Sequence, residues 1–152
     1  MKHIVPQSKT NIFKSVKLEK FNEIALKYPF KILIAEDNFI NQKLIIKVFT
    51  LLGYETDIAA NGLETLDAIQ RKKYDLIFMD IMMPLMNGYE ATKIIIAQNA
   101  LDRPLIIAMT ANANDGDRER CFEVGMDDYI TKPVKIEIVM NVIKLWGEKK
   151  FY

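Results

Sequence analysis

The 152-residue chain reads as an α/β protein with a doubly wound, five-stranded parallel sheet and five helices. Three observations predict it. Short, almost wholly apolar runs recur, the purest being Ile32-Leu33-Ile34-Ala35, Leu76-Ile77-Phe78-Met79 and Leu105-Ile106-Ile107-Ala108-Met109, and such runs suit strands buried on both faces. Stretches with helical spacing lie between them, so strand and helix alternate and right-handed crossovers join parallel strands. The apolar runs also end in polar side chains: Glu36 and Asp37 after the first, Asp80 after the third, Thr110 after the fourth.

Residues 1–30 hold six lysines against two glutamates, net +4, and the remainder is net −3. That composition boundary marks a linker or N-terminal extension with room for one helix, spaced by Ile12, Phe13, Val16, Phe21, Ile24 and Ala25 and stopped by Tyr28-Pro29. The domain proper is placed at 31–147, with 148–152 as a tail. Strand one is Lys31 to Ala35. Asn38 then caps a helix whose face is marked by Ile40, Leu44, Val48, Leu51 and Leu52, ending at Gly53. A second strand, Glu55 to Ala60, leads to a capping box at Asn61 and Glu64 and a helix with Leu63, Leu66 and Ile69. The third strand runs from Asp75 to Met79. Pro84 and Asn87-Gly88 make a turn before a helix from about Tyr89 to Gln98. The fourth strand, Leu105 to Met109, precedes a polar helix from about Asn114 to Glu123. The fifth, Asp128 to Thr131, is followed by Lys132-Pro133 and a helix with Ile136, Val139, Ile143 and Trp146 in register.

Composition excludes several classes. A net charge of +1 gives no global pull toward nucleic acid or membrane, and the dispersed, arginine-free lysines of the first 30 residues suit a solvated face. Apolar runs far shorter than a membrane span, and a start without a signal-peptide core, predict a cytoplasmic chain with no membrane contact. One cysteine, Cys121, and one histidine, His3, rule out an internal disulfide and the usual zinc ligand set. The eight methionines, Met82 and Met83 among them, are expected to pack.

In a doubly wound sheet the carboxyl ends of the strands share one edge, so Glu36, Asp37, Asp80, Thr110 and Lys132 are expected in one crevice. Three carboxylates at close range repel one another unless a cation intervenes, and hard oxygen ligands favour Mg²⁺. Such a site suits a phosphoryl group, with Asp80 as nucleophile, Lys132 and the metal neutralising oxygens, and Thr110 donating a hydrogen bond.

Glu36-Asp37-Asn38, Met79-Asp80-Ile81-Met82-Met83-Pro84 with Asn87-Gly88, Met109-Thr110-Ala111-Asn112-Ala113 and Gly125-Met126-Asp127-Asp128-Tyr129-Ile130-Thr131-Lys132-Pro133 resemble the response-regulator receiver domain of two-component signalling. The likeness covers about residues 31–147. Asn38, Asn41 and Gln42 with Thr110-Ala111-Asn112-Ala113 are most similar to receivers of hybrid sensor histidine kinases. The resemblance implies a flavodoxin-like sheet of order 2-1-3-4-5 and phosphoryl transfer to Asp80 from a histidine kinase or histidine phosphotransfer protein. It implies Mg²⁺ held by Glu36, Asp37, Asp80 and the backbone carbonyl of Met82, phosphoryl contacts from Thr110 and Lys132, and a cis Lys132-Pro133 bond. Tyr129 would swing inward as Thr110 moves, switching the face built from the helix near 114–123, the fifth strand and the final helix. Asn87 stands where many relatives have Asp. A homodimer is compatible with the family.

On these expectations the chain relays a signal and is not a turnover enzyme, and output comes through a partner or a parent polypeptide. Other readings use the same residues. A receiver-like module could bind partners without phosphorylation, and a phosphatase could form a phosphoaspartate, although it would want a second acid where Met82 stands. A flavin or nucleotide binder would need glycine-rich phosphate loops. Taken singly, Asp80 could be a strand-end cap, Thr110 a helix cap and Tyr129 a packed surface aromatic.

Overall fold

The computed structural model describes residues 21–98, 101–112 and 114–152, which build a five-stranded parallel sheet of order β2-β1-β3-β4-β5 with helices on both faces. The strands are β1 (Ile32–Ala35), β2 (Thr56–Ala59), β3 (Leu76–Asp80), β4 (Leu105–Thr110) and β5 (Asp128–Thr131). Helical residues 21–27 are α1, followed by α2 (Phe39–Leu51), α3 (Gly62–Arg71), α4 (Gly88–Gln98), α5 (Asp115–Glu123) and α6 (Ile136–Phe151). Period-two alternation divides each central strand between two cores. Ile32 and Ile34 of β1 and Leu76 and Phe78 of β3 pack with α1, α2 and α6, while Leu33, Ala35, Ile77 and Met79 pack with the layer of α3, α4 and α5.

This arrangement carries Asp80 to the end of the most central strand. β3 pairs with β1 up to Met79 opposite Ala35, and with β4 up to Asp80 opposite Met109. Asn38, Asn61, Asn87 and Asn114 each accept a hydrogen bond from the backbone N–H three residues on. Four helices therefore begin with asparagine caps at the carboxyl edge of the sheet. Gly88 permits the closest of these approaches, because a Cβ there would lie 2.4 Å from the carbonyl oxygen of Asp80.

The fold differs from the sequence-based expectation in three places. The first is not the helix itself, for 21–27 is helical as the spacing before Tyr28-Pro29 allowed and brings the helical segments among the described residues to six. Its inner side is no linker: Ile24, Tyr28 and Phe30 belong to the core. The charge boundary near residue 30 followed the count of lysines and was blind to these apolar residues; the rest of the proposed N-terminal helix lies outside the described residues. The placed tail, 148–152, is the last turn of α6 with its cap residue Tyr152, and there Phe151 packs on Phe30 with ring centroids 5.1 Å apart. Finally, α2 buries Ile45 and Phe49, whereas Ile40 is 69% and Leu44 59% exposed. This helix is apolar on two adjacent stripes, so its spacing alone does not choose between them. None of the described helices is long and apolar enough to cross a membrane.

Candidate functional site

At the carboxyl edge the strand ends open into a cavity of about 560 Å³ lined by Glu36, Asp37, Asp80, Met82, Thr110 and Lys132, together with residues from α4 and α5. Six of the seven residues singled out from sequence thus share one cavity. The seventh, Tyr129, is not among its lining residues. Its ring rests on α5, edge-on to Phe122 at 6.3 Å and with the Arg118 guanidinium 5.5 Å from its centroid. Met82, expected to pack, is 77% exposed.

Lys132 is the hub of the site. Its backbone N–H donates to the Thr110 carbonyl at 2.8 Å, and its ammonium lies 2.8 Å from Glu36 Oε2 and 3.0 Å from Asp80 Oδ2. The Lys132-Pro133 bond is cis, as the resemblance implied. Glu36 is fully buried and held from α2: Asn41 Nδ2 and the Asn38 N–H donate to Oε1 at 3.2 and 3.3 Å, and Gln42 Nε2 donates to the Glu36 carbonyl at 2.7 Å. Asparagine and glutamine at those places therefore aim a carboxylate, a role that the sequence pattern flagged without explaining.

Charge is unbalanced here. Glu36, Asp37 and Asp80 each place a carboxylate oxygen within 4.8 Å of the others, against one ammonium. Burial, with Glu36 beside it, pushes the Asp80 carboxyl up to about 6, opposed by the hydrogen bond from Lys132 and by the Met82 N–H. Burial would lower Lys132, but its hydrogen bonds to Glu36 and Asp80 outweigh that and hold the ammonium above its ordinary value. A hard divalent cation fits this donor set, since it would offset the excess negative charge that Lys132 leaves.

Thr110 is closed on its own loop. Its hydroxyl donates to the Asn112 carbonyl at 2.9 Å and accepts from the Asn112 N–H at 3.2 Å. Beyond it, Tyr89 of α4 and Asp117 and Arg120 of α5 complete the cavity wall. Sequence reasoning did not find these three: α5 is mostly polar, so no periodicity shows which of its sides meets the site, and Tyr89 reads as an ordinary first-turn residue of α4. An apolar groove of about 410 Å³ adjoins the cavity, shares Asn41 and Lys132 with it, and runs along Leu44, Val48 and Leu51 of α2 to Pro133 and Ile136.

Comparison with known proteins gives a consistent result. The family model described as the response regulator receiver domain matches residues 32–144. Hybrid signal transduction histidine kinase I of Dictyostelium discoideum is 44% identical over 122 residues, and histidine protein kinase 1 of Candida albicans is 35% identical over 153. These alignments take in 76% and 94% of this chain but only 7% and 6% of the relatives' own lengths. Among solved structures, the receiver domain of a Pseudomonas aeruginosa sensor histidine kinase, with a magnesium ion coordinated in its active site cleft, shares 40% identity at a TM-score of 0.72, covering 78% of this chain and 98% of that one. The receiver domain of a Saccharomyces cerevisiae response regulator, co-crystallised with a histidine phosphotransfer protein, shares 30% identity at a TM-score of 0.74, covering 80% and 91%.

Proposed function

The chain belongs to the response-regulator receiver family, and from that premise we infer that it relays a signal by accepting a phosphoryl group on Asp80 from a phosphohistidine. The observation that supports this most directly is the bond from Lys132 to the buried Asp80, beside Glu36 and Asp37, at the end of the central strand. Glu36, Asp37, Asp80 and the backbone carbonyl of Met82 would hold Mg²⁺. Bound there, the ion supplies positive charge to the oxygens of the group in transfer.

In the transfer, an Asp80 carboxylate oxygen forms a bond to phosphorus as the P–N bond to the donor imidazole breaks, and that bonding pair stays on the imidazole nitrogen. Lys132 donates from its ammonium to the same oxygens. Thr110 turns its hydroxyl from the Asn112 carbonyl to the new group, which draws the β4–α5 loop inward and lets Tyr129 leave its seat on α5. The face of α5, β5 and α6 is the element so biased.

The donor is a histidine kinase or a histidine phosphotransfer protein, and the exposed apolar residues Phe39, Ile40 and Leu44, on α2 next to the cavity, offer it a docking surface. We place the chain in the cytoplasm, without nucleic-acid or membrane contact, as an acceptor and not a turnover enzyme. The unit that folds as a receiver is taken as 21–151, wider than the 31–147 expected from composition.

Incubation with Mg²⁺ and a small acyl phosphate, read by intact mass, tests the reading. Wild type is expected to gain one phosphoryl group and Asp80→Asn none. A gain on both variants, or on neither, overturns it.

A further inference from the structure

The cavity has a second cation that the acceptor chemistry does not use. Arg120 lines the same wall as Tyr89, and its guanidinium carbon lies 4.4 Å from the centroid of the Tyr89 ring. Lys132 is committed to Glu36 and Asp80. Arg120 makes no ion pair with any carboxylate described in the structure, although Asp117, one turn earlier on α5, shares the cavity.

The two partners in this contact are held differently. Tyr89 is 7% exposed and sits in the first turn of α4, which Gly88 fixes against the Asp80 carbonyl. Arg120 is exposed, on a long side chain with rotameric freedom. A cation over an aromatic face at an exposed site is weakly bound. The same guanidinium bonded to a phosphoryl dianion gains charge-assisted hydrogen bonds through a planar fork matched to its oxygens. The Tyr89 ring therefore parks a cation beside the acceptor without neutralising it.

We propose that Arg120 is an anion-positioning residue of this site, resting on the Tyr89 ring while Asp80 is bare and turning its guanidinium toward the phosphoryl oxygens once they enter the cavity. This rests on the phosphoryl-acceptor reading above. When the donor is a small acyl phosphate, the Asp80 oxygen bonds phosphorus as the acyl O–P bond breaks, and the electron pair leaves with the carboxylate. Arg120 gives and takes no proton in that step; it orients the group and lowers the charge that the donor must meet.

Two measurements decide it. In ¹⁵N-labelled protein with Mg²⁺, addition of beryllium fluoride as a phosphoryl mimic should move the Arg120 Nε–Hε resonance downfield, out of the shielding cone of the ring and onto an anionic acceptor. Arg120→Gln should slow phosphorylation by a small acyl phosphate on the order of tenfold, with a weaker salt dependence, and Arg120→Lys should recover most of the rate, both with an unchanged melting temperature. An unmoved resonance, or wild-type rates in Arg120→Gln, overturns the proposal. So does a loss of rate accompanied by a lower melting temperature that lysine does not rescue, which would make Arg120 a packing residue. If wild type itself takes up no phosphoryl group, the underlying reading fails; if wild type is phosphorylated and Arg120→Gln matches it, only this inference does.

Discussion

At the amino ends of the strands the molecule is sealed by rings, while at the carboxyl ends it is open and acidic. At the sealed end Tyr28 packs over Gly147 so closely that a Cβ there would lie 2.3 Å from the ring. The Tyr28 hydroxyl donates to Glu148, its carbonyl accepts from the Tyr54 hydroxyl at 2.5 Å, and Tyr152 meets it edge-on at 6.0 Å. Four carboxylates at this end are each paired with one cation: Asp75 with Lys150 and Asp57 with Lys72, each at 2.9 Å, Asp102 with Lys73 at 3.1 Å, and Asp127 with both nitrogens of the Arg103 fork at 2.8 and 2.9 Å. At the other end Glu36 and Asp80 share Lys132, and Asp37 adds a third carboxylate with an oxygen within 4.8 Å of theirs. One sheet therefore holds satisfied charge where it is anchored and unbalanced charge where it is to react.

The largest effect should come from breaking the sealed end. Tyr28→Ala removes a nearly fully buried ring and leaves Gly147 facing a void, at a cost of about 3–5 kcal/mol in urea denaturation. Because the ring lies at the opposite end of the sheet from Asp80, protein that remains folded should still be phosphorylated at the wild-type rate. A matching loss of phosphorylation in the folded fraction would show that the two ends are not separable.

At the acidic end the expected sign is reversed: removing a native group stabilises. The folded Asp80 carboxyl titrates at about 6, above its unfolded value of about 3.9. Between these values the native state holds the extra proton. Its stabilising contribution is thus complete below pH about 4 and is lost as pH rises through about 6. In metal-free protein, Asp80→Asn should be more stable than wild type at pH 7 by about 1–2 kcal/mol, and the difference should vanish toward pH 4. Denaturation midpoints across that range measure it. A difference that grows toward low pH would mean that Lys132 neutralises the site more fully than its shared geometry suggests.

How much of this contrast was legible in the sequence follows from the same asymmetry. The acidic end was readable because its residues interrupt apolar strands: Asp80 after Met79 and Thr110 after Met109 announce the edge at which they emerge. The parallel α/β sandwich followed from the alternation of apolar runs and helical spacing, whereas the strand order 2-1-3-4-5 came from the family resemblance. The sealed end was hidden, since Tyr28 and Phe30 lie in a lysine-rich stretch and reach Gly147 and Phe151 across almost the whole chain. Pattern reading works within one element, and no spacing rule links two termini. Arg120 and Tyr89 were missed for the related reason that a cavity wall is assembled from different helices. The face of α2 failed otherwise, through an excess of apolar residues that left the stripe undetermined.

The smallest expected effect concerns the rim. Met82 donates its backbone N–H to Asp80 Oδ1 at 3.3 Å, yet its side chain is 77% exposed at the mouth of the cavity. A thioether offers water no strong hydrogen-bond partner there. An amide at the same place would accept from and donate to a water near the phosphoryl group, holding it where in-line attack on phosphorus begins. Met82→Asn should therefore hasten loss of the phosphoryl group severalfold while leaving stability within about 0.5 kcal/mol of wild type, as suits an exposed side chain. Decay followed by intact mass after removal of the donor gives the rate. An unchanged rate would mean that water reaches phosphorus along a wall Met82 does not border, the nearest alternative being the polar side formed by Thr110 and Asn112.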